Sequence, residues 1–386
     1  MNDLEAVGDR IARIRKTKGL TQSALAQRAN VGRSFLGHVE KGKAAASTVW
    51  IGQVASALGV DASVLHGTNS EAEVLDDIVP MVRRVLASTD PLPDIDPAPF
   101  EHLRDQVEQV GRWRHAAAYA KVSKVLPDLV DHLLVAGGRD GDIAYALLVT
   151  AYRAANTLSH KLGHHDLSMV AVDRMVWAAE SAGDPLLLAT AHYVKAAAQA
   201  RVGAVRQAVM LTDRTLAELE PYVGDPTGAA VLCALHMRRA GLASTAGDAD
   251  TADTHFAEAR TLAEQLGDTQ AFGTVVGPTN VRLWQLSSAV DLGRIGEALE
   301  LGESTMLPKS YPPERKAHFW LDRARAFLWN GDPDRAVDAL QEAKAAAPEY
   351  FRNARAVRTT IKTTAAQQRR ANTGLRALAN YAGIAD

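Results

Sequence analysis

The sequence predicts an all-α protein, and three features of its 386 residues support that fold class. Ala, Leu and Arg are abundant while aromatic residues make up only 5%, a mixture that favours helix over sheet. Apolar residues recur at helical spacing along most of the chain. Glycines punctuate its C-terminal part at positions 111, 163, 203, 247, 293 and 331. A chain of this length also predicts two or more structural units.

Several classes of protein are disfavoured by composition. No run of about eighteen apolar residues predicts a membrane span, and the N-terminus lacks the apolar core of a signal peptide. Cys233 is the only cysteine, which excludes an intrachain disulfide and a cysteine-based zinc site. The stretch "GHHDL" (163–167) fits a helix start better than a metal site, and no arrangement of residues indicates catalysis. We therefore expect a cytoplasmic protein that is not an enzyme and has no cofactor or metal.

Residues 1–67 predict five short helices. Thr21 and Ser47 stand where N-caps are expected, and Asn30 can adopt the left-handed conformation that a tight turn requires. The predicted helices are Val7–Lys18, Gln22–Ala29, Arg33–Lys41, Thr48–Leu58 and Ala62–His66.

The second and third helices, joined by a tight turn, have the arrangement that places a helix in the major groove of DNA. In this segment the sequence resembles the lambda-repressor-like (Xre-type) helix-turn-helix family, with two departures at Asn30 and Gly37. The matching residues are Leu20-Thr21-Gln22, Leu25-Ala26, Val31, Ser34, Leu36, Val39-Glu40-Lys41-Gly42 and Val54–Leu65.

The resemblance implies a DNA-binding role for this segment. Arg33 and Ser34 would meet base edges, and Arg33 predicts a guanine in each half-site. Lysines beyond the recognition helix would hold phosphates, and Gln22 would contact a phosphate or brace that helix. The alternative is that these side chains are ordinary solvated charges on a small bundle. The implied DNA contacts are Gln22, Arg33, Ser34, His38, Lys41 and Lys43.

Charge divides the chain in the same place. Residues 1–67 carry nine Lys/Arg against five Asp/Glu, whereas the remainder carries 34 against 40. A basic head on an acidic body is typical of a DNA-binding module joined to another kind of domain. We predict that residues 68–100 are a linker containing a helix and a proline-rich joint.

Beyond the linker, residues 101–348 predict a stack of degenerate helix pairs. The stretch "GDPDRAVDALQEAKAAAPEY" (331–350), with Trp320 eleven residues before its glycine, resembles the tetratricopeptide repeat (TPR). The other repeats are longer and looser, and a generic helical bundle is the alternative. Residues 349–386 are expected to cap this TPR-like α-solenoid.

A solenoid of helix pairs has a concave face lined by the first helix of each pair. A groove that contains Arg, His and Asn suits a peptide or a polar small molecule. The residues predicted to line this ligand groove are Arg153, Thr157, His160, Tyr193, Met237, Asn280, Ser287, His318 and Arg325.

An Xre-type head followed by a TPR-like body resembles the peptide-responsive regulators of Gram-positive bacteria and similar regulators of actinomycetes. The resemblance implies a cytoplasmic homodimer that binds double-stranded DNA at a pseudo-palindromic operator and responds to a peptide or small-molecule effector. Two alternatives remain. The body could be an adaptor that docks a protein partner while the head only localises it, or the chain could regulate an enzyme after losing DNA binding.

Overall fold

The computed structural model describes residues 6–66, 78–92, 94–96, 98–368 and 373–384. These residues form 21 α-helices, one short 3-10 turn and one two-stranded hairpin. The all-α prediction is confirmed. None of the described helices is long and apolar enough to cross a membrane.

The head contains the five predicted helices, with boundaries that shift by at most one residue. The Thr21 hydroxyl accepts a hydrogen bond from the amide of Ala24 at 3.0 Å, and the Ser47 hydroxyl accepts one from Trp50 at 3.4 Å. Asn30 has a φ of 50°, the left-handed turn that the sequence predicts. The head helices are α1 (Val7–Thr17), α2 (Gln22–Ala29), α3 (Arg33–Glu40), α4 (Thr48–Leu58) and α5 (Ala62–His66).

A small core of its own holds the head together. Leu25, Leu36, Trp50 and Ile51 are fully buried in it. Phe35 meets the edge of the Trp50 ring with centroids 5.3 Å apart. The inner faces of α2, α3 and α4 supply this core, as their apolar spacing predicts.

The helix inside the predicted linker belongs to the body instead. This helix, α6 (Ile78–Ala87), buries Ile78, Val82, Val85 and Leu86 in the main core. Pro80 lies in its first turn, where a missing amide hydrogen costs little, so the helix is not interrupted there. The extended part of the linker is therefore the proline-rich stretch after Ala87, and the predicted linker residues 68–77 lie outside the described residues.

The body is a succession of antiparallel helices in which each helix packs mainly on its sequence neighbours. This is the solenoid-like arrangement that the sequence predicts. Its helices are α7 (Phe100–His115), α8 (Tyr119–Asp140), α9 (Asp142–Lys161), α10 (His165–Ala182), α11 (Pro185–Arg201), α12 (Val205–Leu219), α13 (Pro226–Ala246), α14 (Ala249–Leu266), α15 (Pro278–Leu292), α16 (Ile295–Ser304), α17 (Pro313–Trp329) and α18 (Pro333–Ala346).

Five of the six punctuating glycines end or follow a helix in a left-handed conformation, and Gly111 does not. Gly111 lies inside α7 with open space around the position of a β-carbon, and the helix continues to His115. Ala117, with a φ of 55°, makes the turn. Each of the other five glycines is followed, five positions later, by a small residue that is buried: Ser168, Ala208, Ala252, Ala298 and Ala336.

A β-hairpin, which the sequence did not predict, interrupts the helices between α14 and α15. Strands β1 (Thr269–Ala271) and β2 (Thr274–Val276) pair antiparallel around Phe272 and Gly273. Both turn residues have positive φ, the conformation of the tightest hairpin turns. The Arg114 and Arg153 guanidiniums each donate to a turn carbonyl at 2.6 Å, which fixes the hairpin tip against α7 and α9.

Three further helices follow the last pair: α19 (Pro348–Asn353), α20 (Arg355–Gln367) and α21 (Thr373–Tyr381). Helix α20 packs on α17 and α18. Its last side chain, Gln367, donates a hydrogen bond to the carbonyl of Gly42 in the head at 2.9 Å. The C-terminal segment therefore contacts both the last helix pair and the head.

Leu25→Ala tests the separate core of the head. We expect the change to lower the free energy of unfolding by about 2–5 kcal/mol, because it leaves a cavity in a packed site. Val64→Ala, at a position that is 48% exposed, is the control and should have little effect. Urea unfolding followed by circular dichroism measures both, and equal midpoints would contradict the assignment.

Candidate DNA-binding surface and cavity

Helix α3 presents a polar face to solvent and an apolar face to the head core. Phe35, Leu36 and Val39 are buried, whereas Arg33 and Ser34 at its N-terminal end are exposed. At 100° per residue, Gly37 and Lys41 lie on the same side as these two residues. Lys41 and Lys43 are also exposed. The predicted base-reading residues are thus accessible.

A buried ion pair braces the other side of this surface. The Arg15 guanidinium binds both carboxylate oxygens of Glu40 at 2.6 and 2.8 Å, and the Gln22 amide donates to Glu40 at 2.8 Å. Burial alone would raise the pKa of Glu40, but Arg15 and Gln22 hold it below its usual value. Gln22 therefore lies where it can brace α3, one of its two predicted roles. The sequence analysis missed Arg15, whose position on α1 gave no sign of a partner 25 residues away.

His38 lies at the boundary between the head and the body. Its ring is 5.0 Å from the ring of Trp329, at the end of α17, and the Phe35 ring is 4.9 Å from the same tryptophan. The His38 Nδ1 lies 2.8 Å from the carbonyl oxygen of Ser34. This side chain is turned toward the body, beside the exposed face of α3 and not at its centre.

Comparison with known proteins agrees with this geometry. Residues 6–66 match the family model of a helix-turn-helix domain. The head is a helix-turn-helix domain. The immunity repressor protein of Bacillus phage phi105 is 43% identical over 61 residues, which cover 16% of this chain and 42% of that protein. No solved structure matches the chain. The resemblance of the body to tetratricopeptide repeats stays a prediction, because the family match covers the head alone.

The inner side of the body lines a half-open cavity of about 390 Å³, within the usual range for small-molecule sites. Helices α9, α11, α13, α15 and α17 supply most of its wall, and the hairpin tip closes part of it. The head completes the wall with Ser47, Thr48 and Val49 at the start of α4. The cavity therefore lies between the body and the helix-turn-helix domain.

Eight of the nine residues predicted for the ligand groove line this cavity. The exception is Met237, which is fully buried, with its sulfur 3.8 Å from the Asn280 amide nitrogen. The eight are Arg153, Thr157, His160, Tyr193, Asn280, Ser287, His318 and Arg325.

Other charged residues of the wall were not predicted. The groove positions were chosen by counting back from each helix-ending glycine, and these residues lie outside the positions so chosen. Arg238, for example, is next to the predicted Met237, and Arg114 precedes the first turn, which was misplaced at Gly111. The charged residues that were missed include Arg114, Lys161, Arg201, Arg238, Glu314, Arg315 and Arg355.

The acidic residues of the cavity all have basic partners. Lys161 contacts the Glu314 carboxylate at 2.6 Å. Burial alone would raise the pKa of Glu314, but Lys161 and His318 hold it well below its usual value. Arg325 binds Asp291 and also Asp322, the latter at 2.8 Å.

The histidines of the wall are held neutral. Burial and neighbouring arginines together lower the pKa of His115 to about 3. Burial likewise lowers the pKa of His165 and of His318 to about 4. Among the described residues, no group of three His, Cys, Asp or Glu side chains is arranged to hold a metal ion.

The wall of the cavity is continuous with the contact that positions the head. The Arg325 Nε donates to the carbonyl of Ala45 at 2.9 Å, and the Ser47 hydroxyl donates to Asp291 at 3.5 Å. On the opposite side, a β-carbon at Gly52 of α4 would overlap the carbonyl oxygen of Arg201. Glycine at position 52 thus permits the close approach of α4 to the end of α11.

Gly52→Leu tests this docking of the head. We expect the head to stay folded but to leave the body, because the added side chain cannot fit against the Arg201 carbonyl. Small-angle scattering should then show a larger radius of gyration. Gly111→Leu, at a helical glycine with open space around it, is the matched control and should leave the radius unchanged. An unchanged radius in both variants would show that the contact does not hold the head.

Acidification tests the neutral histidines. In the unfolded chain a histidine takes up a proton near pH 6.5, whereas His165 in the fold does so only near pH 4, so stability falls as the pH drops below 6.5. We expect His165→Gln to remove about 2 kcal/mol of the stability lost between pH 7 and pH 5. Urea midpoints measure this loss. Between pH 7 and 8 the stability of the variant and that of the wild type should change with pH to the same extent. An unchanged loss at pH 5 would contradict the neutral assignment.

Proposed function

We propose that this protein is a DNA-binding transcription regulator whose helical body senses a ligand in the cavity beside the head. One observation carries the proposal: the helix-turn-helix domain with its exposed recognition helix also forms part of the cavity wall. A ligand in the cavity therefore lies against the segment that positions the DNA-reading helix.

In this proposal α3 enters the major groove from its N-terminal end. Arg33 donates to a guanine and Ser34 contacts a neighbouring base edge. Lys41 and Lys43 hold the flanking phosphates and set the orientation without reading sequence. The Arg15–Glu40–Gln22 brace supports this role because it fixes α3 against α1 and α2.

A ligand would act through the residues shared by the cavity and the head. Ser47, Thr48 and Val49 precede or begin α4, and they directly follow the loop held by Arg325. A ligand that prefers one position of this segment shifts the head by its difference in affinity for the two positions. A coupling of about 1–3 kcal/mol is enough for a usable switch. A cavity of this volume favours a small molecule or a short peptide over a docked protein.

We further propose that two copies bind a pseudo-palindromic operator as a homodimer. One recognition helix reads only a half-site, and paired heads about 34 Å apart meet successive turns of the major groove on one face of the duplex. The dimer would be held by the body, so that a change in the position of the heads alters their spacing.

Arg33→Ala tests the DNA-reading role. Fluorescence anisotropy on the DNA upstream of the protein's own gene should show at least about a tenfold loss of affinity, because a bidentate guanine contact contributes about 1–3 kcal/mol. Wild-type affinity should also fall steeply between 50 and 200 mM salt, since released counterions drive phosphate binding.

Arg260→Ala removes an arginine from an exposed position of α14 and is the matched control. It should keep wild-type affinity and the same salt dependence. If the wild-type protein binds no DNA, or if Arg33→Ala binds as tightly as Arg260→Ala, then the head does not read DNA as proposed.

A further inference from the structure

We infer that the cavity binds a small organic anion with two or more carboxylate or phosphate groups, held by arginines that form no salt bridge with the acidic residues that the structure describes. This inference rests on the proposed function, because it names the chemical class of the ligand that the regulator would sense. The charge available to a ligand depends on which side chains of the wall already have a partner of opposite charge.

The three acidic side chains of the wall already have basic partners. Glu314 is paired with Lys161, and both Asp291 and Asp322 are paired with Arg325. Five further arginines of the wall form no salt bridge with an acidic residue in the described part of the chain: Arg114, Arg153, Arg201, Arg238 and Arg315. Arg355 is not among them, because the Asp61 carboxylate lies near it.

Two of these arginines show the imbalance most clearly. Arg153 is 8% exposed and donates to the uncharged carbonyl of Phe272. The buried Nη1 of Arg201 has no hydrogen-bond partner. Burial, together with a neighbouring arginine, lowers the pKa of each to about 9: Arg114 lies beside Arg153, and Arg238 beside Arg201. A guanidinium that is removed from water without a counter-charge is costly to the fold.

The unpaired arginines lie close together. The Arg114 and Arg153 guanidiniums bind adjacent carbonyls at the hairpin tip. Arg238 stacks over the rings of Tyr193 and Trp284, at 4.4 and 4.9 Å. The Nε of Arg238 is buried without a partner. Guanidinium forks of this kind bind carboxylates and phosphates with two parallel hydrogen bonds.

The anion would also reach the head. Arg201 contributes its side chain to the cavity, and its carbonyl oxygen is the atom that Gly52 of α4 approaches. A ligand drawn toward Arg201 therefore bears on the residue that α4 packs against. Neutral histidines in the wall do not add charge, so the excess positive charge at pH 7 comes from arginine.

Thermal unfolding of the full chain, with citrate and inorganic pyrophosphate as probes, tests the inference. At matched ionic strength, at least one of the two should raise the unfolding temperature. Sucrose and putrescine, added at the same low concentration as the probes, should leave the unfolding temperature unchanged. Citrate acting alone would assign a carboxylate ligand, and pyrophosphate acting alone a phosphate ligand. If neither probe stabilises the protein, the inference is overturned.

Arg201→Met separates binding in the cavity from structural damage. Because the variant removes an unpaired, partly buried charge, it should unfold at a higher temperature than the wild type when no anion is present. It should also weaken the anion affinity measured by titration calorimetry at least about tenfold. A purely structural role for Arg201 would instead lower the unfolding temperature of the free protein, and that result would overturn the inference.

Arg33→Gln is the matched control, because the DNA-binding face is also cationic. It should bind the anion like the wild type. If Arg33→Gln abolishes the effect while Arg201→Met retains it, the anion binds the head and the inference fails. DNA affinity of the same samples keeps the two proposals apart: DNA binding without any anion effect overturns the ligand class alone, and anion binding without DNA binding overturns the proposed function alone.

Discussion

The arrangement of the whole molecule depends on Arg325, a guanidinium that is 3% exposed between the body and the head. Although burial by itself lowers the pKa of such a group, Asp291 and Asp322 raise the pKa of Arg325 above its usual value. Its Nε then remains for the carbonyl of Ala45 in the loop before α4. Breaking a buried charged network of this kind is strongly destabilising, because it leaves an unpaired charge behind. The loop is thus tied to α15 and α17.

This constraint explains why the head is part of the cavity wall. With the loop fixed by Arg325, α4 must lie along α11, and Gly52 and Gly203 make the approach close enough. Trp329 then covers Phe35 on the core side of α3 and leaves Arg33 and Ser34 exposed. Two of the helices that hold the head, α11 and α17, also carry unpaired arginines, Arg201 and Arg315. Recognition of DNA and recognition of a ligand would therefore share these two helices.

Much of this fold could be predicted because local signals determine it. Capping by Thr21 and Ser47, the left-handed turn at Asn30 and the apolar spacing of the head helices depend on residues only a few positions apart. The groove residues were predictable for the same reason, since a glycine that ends a helix fixes the register of the residues before it. That signal failed at Gly111, because the helix continues through this glycine. A β-carbon at this position would have open space around it.

The features that escaped prediction depend on contacts between distant parts of the chain. The hairpin around Phe272 and Gly273 is held by arginines more than 100 residues away. Helix α6 is packed because its apolar face finds α8, α9 and α10, which a proline-rich neighbour conceals in the sequence. The docking of the head depends on Arg325 and Ala45, which are 280 residues apart. No periodic pattern in the sequence indicates which distant residues will form such contacts.

Hydrogen exchange of residues 44–50 measures most directly whether Arg325 holds the head in place. In Arg325→Met, the backbone amides of this segment should exchange at least about tenfold faster than in the wild type, since a charge-assisted hydrogen bond to the loop is lost. Amides of α2 should keep their protection, and Lys316→Met on the same helix should behave like the wild type. Unchanged exchange of residues 44–50 in Arg325→Met would contradict the account.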